Sequence, residues 1–299
     1  MSDGPSQHEK VWRLALVGHP VGHSLSAVMH NAALAHVHEA GSYSLLDTLP
    51  SALADALASL RAGHWDGLNV TVPHKVDAAA LCDALGRDAM VLGAVNTLVR
   101  QGQGRVIGYN TDVSGLDAAL TLHWPSDPCD GRDVCVIGAG GAARSAVAVA
   151  LRRGARKVWV TNRTLSRAQH LVDALSPHFE PERLAVQAFD TPPTFEVGLV
   201  VQASSMGMGL APSSSQWRDI EARAQTWLAA LPCRPHFMDL VYRPARTPWV
   251  AAAISQGLSA HHGLEMLVQQ ARRAFALWTG HEGIPANVMR VVAEASITP

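Results

Sequence analysis

The chain has 299 residues, 48% of them apolar, with 24 Lys and Arg set against 25 Asp and Glu. That length sets a prior of about two domains, and the apolar share is ample for two cores. A near-zero net charge with mixed signs excludes a basic stripe for nucleic acid or a membrane surface.

No nucleic-acid and no membrane partner is therefore expected; a small-molecule substrate and a monomer or homodimer are expected on other grounds than charge. Four cysteines, Cys82, Cys129, Cys135 and Cys233, show neither C-x-x-C spacing nor a dense framework, which points to a reduced, cytoplasmic protein. The N-terminal MSDGPSQHEK is polar and lacks the apolar core of a signal peptide. No uninterrupted apolar segment approaches the length of a membrane span. His36-x-His38 and His261-His262 lack supporting Cys or carboxylate groups at ligand spacing, so no metal is expected.

Residues 11–17 read as a first strand, broken by Gly18-His19-Pro20. A helical pattern with Val28, Ala32, Ala35 and Val37 follows Ser24 and Ser26. Ser26 is a natural N-cap, and two hydroxyls beside a helix N-terminus also suit a carboxylate. The two readings are compatible. Residues 43–48 suggest a strand and 51–60 a helix. In Gly67–Lys75, GLNVTVPHK, Leu68, Val70 and Val72 alternate with Asn69 and Thr71. Pro73 stops that strand, and 76–85 resumes as helix. Lys75 thus falls where a strand gives way to a helix, the edge at which open α/β sheets bind ligands, although an isolated lysine is more often a solvated surface residue.

Asn96 precedes the apolar Leu98-Val99, and Asp112 stands between a strand at 106–107 and a helix running to about Leu122. Asp112 equally reads as a helix cap. Together Thr71, Lys75, Asn96 and Asp112 converge at strand ends of one α/β layer, as a small polyhydroxylated ligand would require.

Residues 123–131 are rich in turn formers and mark a domain boundary. Beyond them lies a βαβ unit: a buried strand at 134–137, G-x-G-x-x-A on Gly138, Gly140 and Ala143, an alanine-rich helix over 142–152, and a strand at 157–161. Those glycines stand where a backbone approaches a pyrophosphate at a helix N-terminus. An NAD site wants an acidic residue after the second strand. Asn162, Arg163, Thr164 and Arg167 stand there instead. A guanidinium grips a 2′-phosphate with paired hydrogen bonds, so NADP is the expected cofactor.

Residues 197–201 form the next buried strand, ending in a flexible loop, 203–209, near the cofactor. The segment APSSSQWRD, 211–219, reads as surface. Residues 236–241 are a strand and 249–256 a helix. After Gly263, Leu264, Leu267, Val268, Ala271, Phe275 and Trp278 make one apolar stripe at helical spacing. Gln270 flanks it, either as a boundary residue or as one that reaches a ligand.

The motifs GHPVGHSLS, NVTVPHK, GAVNT, GYNTD, VIGAGGAARS, TNRTLSR, DLVY and GLEMLVQQA resemble the shikimate dehydrogenase family, in family order from residue 17 to about 280. The resemblance implies an α/β protein of two domains. One is an N-terminal substrate domain over 1–122, joined by C-terminal helices at about 264–299. The other is a Rossmann-type NADP-binding domain over 123–263. It implies that Ser24 and Ser26, helped by Tyr242, bind the substrate carboxylate, and that Thr71, Asn96, Asp112 and Gln270 bind ring hydroxyls. Lys75 would be the catalytic acid–base, with Asp112 holding it. Gly138, Ala139, Gly140, Gly141, Ala142, Asn162, Arg163, Thr164, Arg167 and Gly263 would line the cofactor site.

Two residues depart from the pattern. Ala27 replaces a frequent proline at the first helical position, at some cost in pre-organisation, and His262 replaces a common Asp or Asn. The implied activity is reversible NADP-dependent reduction of 3-dehydroshikimate to shikimate, in aromatic amino-acid biosynthesis. Two alternatives stand beside it: a quinate/shikimate dehydrogenase preferring NAD, and a catalytically silent metabolite sensor. The presence of both Lys75 and Asp112 counts against the sensor.

Overall fold

The structure is a computed structural model that describes residues 10–297. The polar N-terminal stretch, Lys10 excepted, lies outside the described residues. Two units are present: one takes the chain up to Gly86, Ala94–Asn110 and Ala271–Ser296, the other Arg87–Gly93 and Thr111–Gln270. Each is built on a six-stranded sheet, in keeping with the two-domain α/β expectation.

In chain order the elements begin with β1 (Trp12–Gly18), α1 (Ser26–His36), β2 (Gly41–Asp47), α2 (Leu53–Arg61), β3 (Gly67–Val70), α3 (Lys75–Ala80) and β4 (Ala84–Leu85). Next come α4 (Arg87–Leu92), β5 (Thr97–Arg100), β6 (Val106–Tyr109), α5 (Asp112–His123), β7 (Asp133–Ile137), α6 (Gly141–Arg152), β8 (Lys157–Asn162), α7 (Leu165–Leu175) and β9 (Leu184–Ala188). The chain closes with β10 (Leu199–Gln202), α8 (Ser215–Ala229), β11 (His236–Asp239), α9 (Pro248–Ser255), β12 (Ala260–His262), α10 (Leu264–Thr279) and α11 (Ala286–Ile297).

The first sheet has the order β2-β1-β3-β5-β6-β4. β5 pairs antiparallel with β3 and with β6, and the other pairings are parallel. The ends of β1, β3 and β6 and the start of β5 consequently lie along one edge. The second sheet, β12-β11-β10-β7-β8-β9, is parallel throughout. Read from β9 to β12, that is the doubly wound order whose ligand site sits where the strand order reverses, at β7 and β10. β7 is buried along its whole length, and the small side chains of α6 bury Ala143 and the run 145–151.

Four expectations are corrected. The helix after Pro73 ends at Ala80 instead of Leu85, because the Asp83 carboxylate takes the Val106 amide at 2.7 Å and draws Ala84–Leu85 into the sheet. The segment 211–219 is not surface throughout: the Ser214 hydroxyl accepts from the Trp217 amide at 3.1 Å and starts α8, with Trp217 buried. β11 stops at Asp239 instead of Val241, since the Asp239 carboxylate captures the Val241 amide at 3.0 Å and turns the chain. Ser26 is the first residue of α1 and not its cap; the Ser24 hydroxyl receives the Ser26 amide at 3.2 Å.

The first unit's core holds an imidazole. His30 is fully buried, stacked on Tyr43 with centroids 4.5 Å apart and flanked by Phe275 and Trp278. Burial lowers its pKa from 6.5 to about 3. The unfolded chain binds that proton near 6.5, so the stability tied to the neutral ring is complete above 6.5 and is lost as pH falls towards 3. Going from about pH 7 to about pH 5 should cost about 2 kcal/mol through this group. His30→Leu should remove that difference in denaturant unfolding at the two pH values; an unchanged difference would refute the assignment.

Candidate active site

In the first unit the polar edge begins at Gly18. A Cβ there would stand 2.3 Å from Thr71 Cγ2, so only glycine lets the end of β1 meet the segment after β3. The Thr71 amide donates to Val17 O at 2.9 Å, and the His19 amide to Val72 O at 3.0 Å. Just beyond β1, the Ser24 and Ser26 hydroxyls are 3.1 Å apart in a hydrogen bond, Ser24 half-buried and Ser26 buried.

Lys75 opens α3 and is half-buried. The residue before it, which the sequence reading passed over, holds that turn. The His74 ring is buried with Nε2 2.7 Å from Thr48 O, and its amide donates to Thr71 O at 2.9 Å. The Lys75 carbonyl accepts the Val95 amide at 2.8 Å, tying the turn to the loop that carries Asn96. Asn96 is buried; its amide donates to Tyr109 O, its carbonyl accepts the Val70 amide, and its Oδ1 accepts from the Thr97 hydroxyl. Ser24, Ser26, Thr71, Lys75 and Asn96 therefore share one sheet edge.

In the second unit Asp112 is the buried first residue of α5, not its cap. The neighbouring Thr111 hydroxyl donates to Gln270 Oε1 at 3.2 Å, and Gln270 Nε2 donates to Leu267 O at 3.1 Å. α5 and α10 cross closely at Gly115, where a Cβ would meet Met266 O at 2.7 Å and Gln270 Cβ at 2.8 Å.

The glycine turn follows β7. Gly138 adopts φ +122°, its amide donates to Thr161 O at 2.8 Å, and a Cβ on it would lie 3.0 Å from Ala203 C and Ser204 N. Gly140 is the extended residue before α6, and a Cβ there would meet nothing within 4 Å. Ala139, Gly141 and Ala142 line the same turn, partly exposed. This backbone has the shape and the open space that a pyrophosphate needs at a helix N-terminus. At the end of β8, Asn162 Nδ2 donates to Thr164 O at 2.9 Å, turning the chain so that Arg163, Thr164 and Arg167 are exposed. Among the described residues no carboxylate pairs with either guanidinium.

Tyr242 is half-buried after β11. Gly263 lies against the same segment: its amide donates to Val241 O at 3.1 Å, and a Cβ would come 2.2 Å from Leu240 O. A second residue missed in the sequence stands here. Asp239 is fully buried, and burial pushes its carboxyl up to about 7 against the hydrogen bonds from Thr247, Val241 and Gln202 that favour its charge. An Asp before a strand's end, with a Thr-Pro shortly after, was the available signal.

The doubly wound second sheet and its glycine turn define a dinucleotide-binding α/β protein, with a second α/β sheet whose edge is polar. The chain belongs to the shikimate dehydrogenase family. Family profiles described as shikimate dehydrogenase substrate binding domain, shikimate/quinate 5-dehydrogenase and shikimate 5′-dehydrogenase C-terminal domain match residues 16–98, 125–188 and 263–293. A shikimate dehydrogenase (NADP(+)) of Methylobacterium radiotolerans is 41% identical over 90% of this chain and 91% of its own. Among solved structures, shikimate 5-dehydrogenase from Thermus thermophilus in complex with NADP(H) and shikimate is 34% identical with TM-score 0.78, over 96% of this chain and 100% of that one. Quinate dehydrogenase from Corynebacterium glutamicum in complex with NAD is 28% identical with TM-score 0.79, over 95% and 99%. The resemblance read from the motifs is borne out.

The contact at Gly263 is tight enough to separate packing from ligand binding. Gly263→Ala should lower unfolding stability by about 1–3 kcal/mol without any ligand. Chemical denaturation of the unliganded variant checks this, and a stability equal to wild type would show that the neighbouring backbone yields freely.

Proposed function

We propose that this protein is an NADP-dependent shikimate dehydrogenase, interconverting 3-dehydroshikimate and shikimate in the cytoplasm. The first unit serves as the substrate domain and the second as the dinucleotide domain. The observation that carries the reading is the shared sheet edge of Ser24, Ser26, Thr71, Lys75 and Asn96, where a hydroxyl pair, two further polar groups and one cation converge. It suits a carboxylate and ring hydroxyls beside a carbonyl. Ser24 and Ser26 donate to the substrate carboxylate, joined by Tyr242. Thr71, Asn96, Asp112 and Gln270 hold the ring hydroxyls.

The glycine turn over Gly138–Ala142 cradles the pyrophosphate, Gly263 borders the same site, and Asn162, Arg163, Thr164 and Arg167 take the adenosine 2′-phosphate. When bound, NADPH supplies a hydride to the carbonyl carbon. Lys75 donates a proton to the carbonyl oxygen as negative charge builds there, and its positive charge lowers the cost of that charge. In the reverse direction it removes the proton from the substrate hydroxyl. Asp112 fixes the hydroxyl beside the reacting carbon.

Purified protein with shikimate and NADP⁺, followed at the nicotinamide absorbance, tests the activity directly. Turnover should exceed that with quinate, and kcat/KM for NADP⁺ should exceed that for NAD⁺. Arg163→Ala should raise KM for NADP⁺ and leave activity with NAD⁺ nearly unchanged. Equal or better kcat/KM with NAD⁺ would overturn the cofactor assignment, and no turnover of shikimate would overturn the enzyme.

Lys75→Ala separates catalysis from binding. Loss of a general acid should lower kcat by about 10² to 10⁴, while shikimate binding falls little because Ser24, Ser26 and Asn96 remain. A kcat within about threefold of wild type, far short of that range, would reduce the lysine to a binding residue.

A further inference from the structure

Three donors converge on the buried Asp239 carboxyl, each from a different segment of the second unit. Oδ1 accepts from Gln202 Nε2 at 3.1 Å and from the Val241 amide at 3.0 Å, while Oδ2 accepts from the Thr247 hydroxyl at 2.6 Å. Gln202 ends β10 and organises the loop after that strand. Its Nε2 also donates to Ser204 O and Met206 O, and its Oε1 accepts the Ser204 amide at 2.6 Å.

The same loop lies on the first glycine of the dinucleotide turn. The Ala203 amide donates to Ile137 O at 2.7 Å, and the Gly138 Cβ position is 3.0 Å from Ala203 C and Ser204 N. Thr247 caps α9 through the Val250 amide, and the Pro248 ring behind it would touch a Cβ on Gly207 at 2.7 Å. One carboxyl therefore anchors both sides of the loop, by Gln202 at its start and by Thr247 beneath Gly207.

We propose that Asp239 is a positioning residue for the dinucleotide site, holding Ala203–Gly209 against the Gly138 turn as a charged acceptor and thereby setting affinity for the dinucleotide. Its kinetic readout rests on the activity proposed above. All three partners donate, so the acceptor-only carboxylate satisfies every one of them. A proton on Oδ2 would force the Thr247 hydroxyl to reverse or to break its bond. Burial opposes the charge and raises the group to about 7, while the three donors favour the charge.

Among side chains packed around it, His262 on β12 is in register with Asp239 and is titratable, its Nδ1 accepting the Leu264 amide at 3.4 Å. β10 presents the neutral Gln202, and α9 carries no ionisable side chain. Tyr242 and the exposed Arg243 and Arg246 follow in the chain.

Steady-state kinetics with shikimate and NADP⁺ test this, beside hydrogen exchange of the 203–209 amides. Asp239→Asn should raise KM for NADP⁺ about tenfold, the scale of one lost charge-assisted hydrogen bond, and leave KM for shikimate and kcat near wild type. Thr247→Val should shift KM the same way, and Thr247→Ser should restore it. In the unliganded protein, protection of 203–209 should be lower in Thr247→Val than in the wild type.

An Asp239→Asn variant with wild-type KM for NADP⁺ would overturn the proposal. So would one that loses kcat alone, which is the mark of a merely structural role. If that variant does not fold, exchange of 203–209 that is unchanged in Thr247→Val overturns it equally. Exchange needs neither substrate nor cofactor, so a failure of shikimate turnover counts against the proposed activity alone.

Discussion

A single buried amide, that of Asn69 on β3, joins three strands of the first sheet. Its Oδ1 accepts from the Tyr43 hydroxyl on β2, and its Nδ2 donates to the Thr97 hydroxyl on β5 and to the Asn96 carbonyl beside it. Such a group costs free energy when buried unless every donor and acceptor is met. Here they are met only if β5 lies in one register against β3. The antiparallel β5 needs that specification, because a slip of one residue would turn its side chains to the other face. Asn96 then stands at the edge with its backbone fully used and its amide oxygen engaged by Thr97. The polar edge is thus positioned by hydrogen bonds that pass through the core beneath it.

The second unit is held by a different constraint, the close approach of backbone to backbone. Gly138 against Ala203, Gly115 against Met266 and Gly263 against Leu240 are all distances that a methyl group would obstruct. Ala143 plays the same part where α6 sits on the sheet, fully buried with no more than a methyl. A buried polar linkage joins the ends of β10 and β11, where Gln202, Asp239 and Thr247 meet. Both devices appear in each unit, with Gly18 against Thr71 in the first and the Asp239 network in the second.

How much of this was legible in the sequence depends on how local each signal is. β1, β7 and β8 announce themselves as apolar runs, and the glycine turn is read from a few adjacent residues whose roles depend on backbone shape alone. The helix start at Ser214 was hidden because serines and a proline upstream look like surface until the buried Trp217 is counted. α3 was drawn too long because an alanine-rich run carries helical propensity but no stop signal, and the stop comes from Asp83 bonding to a strand far along the chain. His74 and Asn69 were missed as supports for a similar reason. The partners of one are Thr48 and Thr71, those of the other Tyr43, Asn96 and Thr97, and most of these lie well away along the sequence. Propensity and periodicity describe neighbours along the chain; buried polar networks join residues that only the fold brings together.

If Arg163 and Arg167 take the 2′-phosphate and the Gly138–Ala142 turn the pyrophosphate, as proposed above, the exposure of the two arginines beyond β8 bears on where discrimination between cofactors resides. Charges in water act through a medium that mobile ions reshape, with a screening length of about 8 Å at physiological ionic strength and about 3 Å at 1 M. A guanidinium grip made at the surface is weakened by salt, whereas the backbone cradle at Gly138 and Gly140, which involves no side-chain charge, is weakened far less. Preference for the phosphorylated dinucleotide is then not a constant of the polypeptide. It is shared between the chain and the electrolyte around it, and narrows as that electrolyte becomes more concentrated.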